Sequence, residues 1–207
     1  AEIAAIIDAE WLSRSNDKIQ IESLSFDSRQ IQNHSTALFF AIPGEQHDGH
    51  NYVFPLLKEK HQNFIVSRKE EGFRNRKDAN ILFVSDSVKA LQKLAKNHRQ
   101  AFSFPIMGIT GSNGKTIVKE WLYHLLQDDM QIVKSPKSYN SQIGVPLSVW
   151  NINSSHELGI FEAGISQPNE MIHLENIIQP DIGVITNIGT AHDEGFNSRA
   201  QKIQEKL

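Results

Sequence analysis

One stretch of this 207-residue chain sets a glycine-rich bend, a lysine and a threonine between an apolar strand and an amphipathic helix: MGITGSNGKTIVKEWLYHLL, residues 107–126. In that setting backbone N–H groups can wrap a phosphate and the helix start adds its positive end, while a lysine ammonium reaches the terminal phosphates of a nucleotide. A hydroxyl directly after the lysine can ligate the Mg2+ that accompanies the nucleotide. Gly111, Gly114, Lys115 and Thr116 supply these parts, with Ser112 and Asn113 between the glycines. The strict pattern G-x-x-x-x-G-K-[ST] needs glycine where Ile109 stands, and Gly108 lies one place early. The plain alternative is a tight turn capped by a helix. The four parts together favour a nucleotide phosphate site.

Acids and histidines downstream fall where such a site needs them. Glu162, in LGIFEAG, closes an apolar run before a loop of small residues. Strand C-termini of parallel sheets gather at the ligand-binding edge, so Glu162 is expected as a direct or water-mediated metal ligand; the alternative is a loop carboxylate with no role. VITNIGTAHDEGF repeats the arrangement: an apolar strand ends at Asn187 and its loop delivers Thr190, His192, Asp193 and Glu194. His192 reads equally as a ligand or as a surface or packing histidine. Nearer the N-terminus, DSRQI (Asp27–Ile31) and HDGHNY (His47–Tyr52) follow strands and read as functional loops. His47 and His50 have no third ligand in view, so hydrogen bonding to a polar ligand or turn chemistry is preferred to a metal pair.

The elements that carry these residues alternate between strand and helix. IQIESLSF (Ile19–Phe26) alternates as a half-buried strand does, ALFFAI is an apolar run ended by Pro43-Gly44, and NFIVS and ILFVS read as buried strands. NYVFPLLKEKH and SVKALQKLAKNHRQAF have helical spacing, with Ser87 as the cap of the second. Beyond Phe102–Pro105 the order is strand (106–110), helix (116–126), strand (131–134), a GVPLSVWNI segment, strand (158–163), helix (169–178), strand (182–187) and a last helical stretch. Such alternation predicts an α/β fold with mostly parallel sheets: a small α/β domain over 1–103, then a second over 104–207. The last stretch, SRAQKIQEKL, carries no stop signal, so it is either a terminal helix or a cut one.

Bulk properties narrow the classes. A net charge of −3 and a pI near 6.3 give no global reason to bind nucleic acid. The basic stretch SRKEEGFRNRKD is interleaved with acids and reads as a solvated face. Cysteine is absent, which excludes disulfides and thiolate metal sites. No apolar run approaches the roughly 20 residues that cross a bilayer, so a cytoplasmic protein without membrane insertion is expected. The guanine-reading N-K-x-D segment of GTPases does not occur.

GITGSNGKT is similar to the ATP-binding loop of the Mur ligase family, in which the glycine register is shifted in the same way. DSRQI…ALFFAIPGEQHDGHNY, SYNSQIGVPLS, IFEAGISQPNEM and ITNIGTAHDEGF follow in order and extend the resemblance over roughly residues 25–207. Within the family, the DSR…DGH pattern and QIGVPL most resemble the cytoplasmic member that adds D-Ala-D-Ala to UDP-MurNAc-tripeptide in peptidoglycan precursor synthesis. The resemblance implies a UDP-sugar domain (1–103) and the first part of a P-loop-type central ATPase domain (104–207). The third domain, for the incoming dipeptide, would be absent, leaving a monomer that binds ligands without completing the reaction. It implies that Lys115 holds ATP phosphates with backbone help from Gly111, Ser112, Asn113 and Gly114, and that Thr116 and Glu162 bind one Mg2+. His192 would bind a second Mg2+ with a carbamylated lysine, which by spacing is Lys206, with Lys202 as the alternative. Ser28, Arg29, Asp48, Gly49 and His50 would line the UDP-sugar site, Asn140 the substrate, and Asn187 the ATP. Folylpolyglutamate synthase shares the ATP loop but has no UDP-sugar domain, so the DSR and DGH segments argue against it.

Overall fold

The structure, a computed structural model, describes residues 1–44, 46–189, 195–196 and 198–206. Two compact units divide the chain, Ala1–Leu94 and Ala95–Leu207.

The first unit runs α1 (Glu2–Ile6), β1 (Glu10–Ser13), β2 (Ser23–Ser25), β3 (Ala37–Phe40), α2 (Val53–Lys58), β4 (Asn63–Val66), β5 (Asn80–Phe83) and the start of α3 (Ser87–Arg99). Its sheet has the order β1-β5-β4-β3-β2. β2 to β5 are parallel and β1 runs antiparallel on the edge. The two middle strands β3 and β4 are buried along their whole length, which is why ALFF and NFIV read as unbroken apolar runs rather than alternating ones. Phe39, Phe64, Val66 and Ile81 meet Leu56 and Phe73 in the core, each such side chain contributing about 1.5–3 kcal/mol on burial. IQIESLSF behaves differently from expectation: only Ser23–Ser25 pairs, because this strand lies on the sheet edge and has one neighbour to define its length. The start of α3 also corrects the sequence reading. The Asp86 carboxylate accepts the Val88 and Lys89 amides at 2.9 and 3.0 Å, while the Ser87 hydroxyl turns inward to the Ala41 carbonyl. Asp86 is the cap.

The second unit carries the end of α3, then β6 (Ile106–Thr110), α4 (Lys115–Leu126), β7 (Ile132–Lys134), α5 (Gly144–Val149), β8 (Leu158–Glu162), α6 (Glu170–Ile178), β9 (Ile182–Ile185) and α7 (Arg199–Lys206). The division lies within α3, ahead of the composition change near residue 103; Ala95 packs into the second unit's core with Ile106, Phe161 and Leu174. All four strands are parallel, in the order β7-β8-β6-β9. The chain leaves β6 toward one side of the sheet, returns through β8, and later crosses to β9 on the other side. β6 is therefore the point where the winding reverses, and ligands of open α/β sheets settle beyond the strand C-termini there. Val118, Leu122 and Leu126 of α4 cover one face over Ile109 and Ile160, fixing the helix start against the end of β6.

Candidate functional site

The bend after β6 shows why the glycines sit where they do. Ile109 remains inside the sheet, fully buried and paired with Glu162 on one side and Val184 on the other, so the turn cannot open there. It opens at Gly111, whose φ of +140° is left-handed territory, and a Cβ at that position would lie 2.0 Å from the Thr186 hydroxyl. Gly114, at φ +84°, makes the second left-handed step and serves as the N-cap of α4. The glycine register follows the length of β6.

The bend is held from the β9 side. The Asn187 carbonyl accepts the Ser112 amide at 2.9 Å, and its side-chain oxygen accepts the Asn113 amide at 2.9 Å. Thr186 donates to the Asn113 carbonyl at 2.6 Å. Two of the amides expected to hold phosphate are thus occupied within the fold, and Asn187 shapes the bend. The amides of the first turn of α4 after Gly114 have no intrahelical acceptor, the condition under which a helix start can take an anion. Lys115 folds back over the bend and donates to the Gly111 carbonyl at 2.8 Å. Burial lowers the pKa of its ammonium, and the charge of Glu162 partly offsets this.

Thr116 and Glu162 are brought together from the start of α4 and the end of β8. The threonine hydroxyl donates to Glu162 Oε2 at 3.1 Å, and the glutamate is fully buried. Two adjacent ligands of an octahedral Mg2+, with bonds of about 2.0–2.1 Å, stand about 2.9 Å apart. The donor pair is oxygen-only and close to that spacing, so these residues fit a Mg2+ whose other ligands are phosphate and water. Beside them a cavity of 280 Å³ is lined by Gly111, Lys115, Asn140, Ser166, Glu170 and Lys206 among others. Asn140 is tied to the loop after β8 through its carbonyl, which accepts the Gly164 amide at 2.8 Å. Lys206, near the end of α7, is buried on the same cavity wall as Lys115.

In the first unit the loops after β2, β3 and β4 share the C-terminal edge of the parallel strands. Asp27 caps a short 3-10 turn, Ser28–Gln30, and takes the Arg29 guanidinium in a two-pronged pair at 2.9 and 2.8 Å. That pair holds the Asp27 carboxyl at about 2, and the Arg29 side chain stays exposed. Asp48 caps the turn Gly49–Tyr52. Burial raises the Asp48 pKa, but the backbone and ring hydrogen bonds from His50 outweigh it and hold the carboxyl below its ordinary value.

The ring of His50 takes the turn chemistry that the residues allowed and is buried, whereas the resemblance implied a place in the UDP-sugar lining. Its Nε2 accepts the Ser67 amide at 3.0 Å and its Nδ1 donates to Asp48 at 2.7 Å, with a side-chain exposure of 1%. It is a peg that locks the β3 loop to the β4 loop. Gly49 is likewise buried, its amide donating to the Ile42 carbonyl at 2.8 Å. Arg29 and Asp48 are among the polar groups at this edge, with Arg68, which pairs with Asp48 and was unsignalled in the sequence reading.

Residues 109–207 match the Mur ligase middle domain. The chain belongs to the Mur ligase family. A UDP-N-acetylmuramoyl-tripeptide–D-alanyl-D-alanine ligase of Borreliella burgdorferi is 37% identical over 179 residues, 83% of this chain and 39% of that protein. The Haemophilus influenzae enzyme of the same name is 31% identical over 99% of this chain and 44% of its own length. Among solved structures, MurF from Acinetobacter baumannii matches with a TM-score of 0.88 at 26% identity, over 99% of this chain and 44% of that one. MurF from Thermotoga maritima in complex with ADP matches with a TM-score of 0.79 at 32% identity, over 92% and 43%. The chain therefore spans less than half the length of the relatives it matches.

For this Mur ligase chain, Thr190, His192, Asp193 and Glu194 lie outside the described residues, as does the side chain of Lys202. Among the described residues no cluster of three or more histidine, aspartate or glutamate side chains is poised to hold a metal, and no helix is long and apolar enough to cross a membrane. Sequence reasoning missed Lys119. It is fully buried at the helix position that meets Glu162. The signal was present: in α4 it lies three residues before Leu122 and seven before Leu126, on the inward stripe.

Proposed function

We propose that this chain supplies the ATP-binding and UDP-sugar-binding parts of an ATP-dependent ligase that joins D-Ala-D-Ala to UDP-MurNAc-tripeptide. The observation that carries the reading is the meeting of Lys115, Thr116 and Glu162 at the C-terminal ends of β6 and β8. The names of the relatives support the choice of substrates.

The tripeptide's terminal carboxylate is a poor acyl donor, so it first attacks the γ-phosphate and releases ADP, giving an acyl phosphate. The amine of the dipeptide then adds to the acyl carbon, and the tetrahedral species expels phosphate to leave an amide. Lys115 and the first-turn amides of α4 neutralise phosphoryl oxygens as their charge rises, and fixing the two reactants supplies much of the rest. Mg2+ held by Thr116 and Glu162 would withdraw charge from the same oxygens. Lys206 on the cavity wall supports a second cation site, since carbamylation turns an ammonium into an anionic oxygen ligand. Arg29, Asp48 and Arg68 at the first unit's sheet edge support a UDP-sugar site there.

Titration calorimetry tests this division of labour. The chain is expected to bind ATP with Mg2+ at one site and UDP-MurNAc-tripeptide at another, yet to give no amide when D-Ala-D-Ala is added. Equal binding of GTP, or binding of a folate in place of the UDP-sugar, would contradict the assignment; amide formed by these 207 residues alone would contradict their incompleteness.

A further inference from the structure

Lys119 is buried without exposure, and its ammonium stands among four oxygens. Lysine is almost never fully buried unless paired. Its Nζ donates to the Ser135 carbonyl at 2.8 Å and to the Lys137 carbonyl, both on the segment leaving β7. It also stands 3.0 Å from Glu162 Oε1 and 3.2 Å from Glu120 Oε1. The two carbonyls anchor the ammonium independently of either acid, so it acts as a fixed post. The burial of this pair is weak evidence for a stabilising role, because a buried ion pair is often no better than apolar residues of the same volume.

The two oxygens of Glu162 consequently have different partners. Oε2 meets the Thr116 hydroxyl at 3.1 Å, on the phosphate side. Oε1 receives no hydrogen bond and is compensated by the Lys119 charge. We propose that Lys119 is a positioning residue that sets which cation the bend accepts: by holding Oε1 it leaves Glu162 a single metal-facing oxygen, and so favours Mg2+ over Ca2+. Ca2+ is larger, takes carboxylates through both oxygens and tolerates irregular shells, whereas Mg2+ takes single oxygens in a strict octahedron. Turning Oε1 toward a cation would strip the ammonium of its partner inside the protein. This inference rests on the ATP-dependent reading above.

The test compares ATP affinity in Mg2+ and in Ca2+ by calorimetry, for the unaltered full chain and for Lys119→Met, which fills the same space without charge. The unaltered chain should prefer Mg2+. The variant should lose that preference by on the order of tenfold, about 1.4 kcal/mol, chiefly through tighter binding with Ca2+. If the variant binds ATP with Mg2+ and keeps the full preference, Lys119 does not set it. If the variant does not fold, a structure of the unaltered chain with Mg2+ and a non-hydrolysable ATP analogue decides: one Glu162 oxygen on the cation with Lys119 still beside the other is expected, and two oxygens on the cation overturns the inference. Failure of the unaltered chain to bind ATP with either cation would remove the ATP-dependent reading and this inference with it.

Discussion

Burial gives several side chains in this chain a chemistry their residue type does not announce. His61 is the clearest case outside the bend after β6. Its ring is 1% exposed and stands edge-on to Phe64 at 4.7 Å, and its Nε2 hydrogen-bonds the Asn63 carbonyl at 2.9 Å. Nδ1 is buried with no hydrogen-bond partner. Burial lowers the ring's pKa from 6.5 to about 4, against a smaller opposing effect of the Asn63 carbonyl. Between those values the unfolded chain binds a proton that the folded chain refuses. Stability contributed by the neutral ring is therefore complete above about pH 6.5, is lost as pH falls toward 4, and falls no further below that. The loss is on the order of 3 kcal/mol. His61→Phe should flatten this part of a melting-temperature profile, while lowering stability at pH 7 by about 1 kcal/mol for the missing hydrogen bond. An unchanged acid slope would contradict the assignment. None of this was legible in the sequence, where His61 is one of nine histidines and nothing local marks it as interior. Lys115 and Thr116 were legible because their chemistry is encoded by their neighbours along the chain. The inward place of Lys119 was legible from its helical spacing, but its partner was not, nor was that of His50, because Glu162 and Ser67 are distant in sequence.

Strands enclosed in the sheets were readable as such, and edge strands only in part: β7 and β9 were found at 131–134 and 182–187, β2 was read too long, and β1 was missed. β3, β4, β6 and β8 are enclosed in their sheets and appear in the sequence as compact apolar runs. The edge strand β1 and the short α1 gave no usable pattern: β1 reads EWLS and α1 is five residues long. The helix α5 was obscured by Pro146, which sits in its first turn, where the missing amide has no helical partner to lose. Helix starts are decided by a single carboxylate or hydroxyl, and sequence spacing alone cannot choose between neighbours such as Asp86 and Ser87. The structure makes the choice testable. Asp86→Ala should destabilise the chain by about 1 kcal/mol through loss of two amide contacts at the start of α3. Equilibrium urea unfolding checks it, and a midpoint identical to that of the unaltered chain would show that α3 does not depend on this cap.

At the scale of the molecule, two mostly parallel sheets each present a cluster of loops at the C-terminal edge of their parallel strands, one holding Arg29, Asp48 and Arg68 and the other Lys115, Thr116 and Glu162. The alternation of apolar runs and amphipathic helices made both sheets predictable in class. Strand order was not predictable, because nothing local to β8 says that it slots between β6 and β7. That insertion is what brings Glu162 to Thr116, so the sequence could nominate the two residues but not their meeting. The central claim is that the bend after β6 grips the triphosphate of ATP. The most direct measurement is the ATP dissociation constant, in Mg2+, of the unaltered chain and of Lys115→Ala. Loss of a charged hydrogen-bonding partner for the phosphates should weaken binding at least about tenfold, with the fold intact by circular dichroism. Equal affinity in the two proteins would contradict the account.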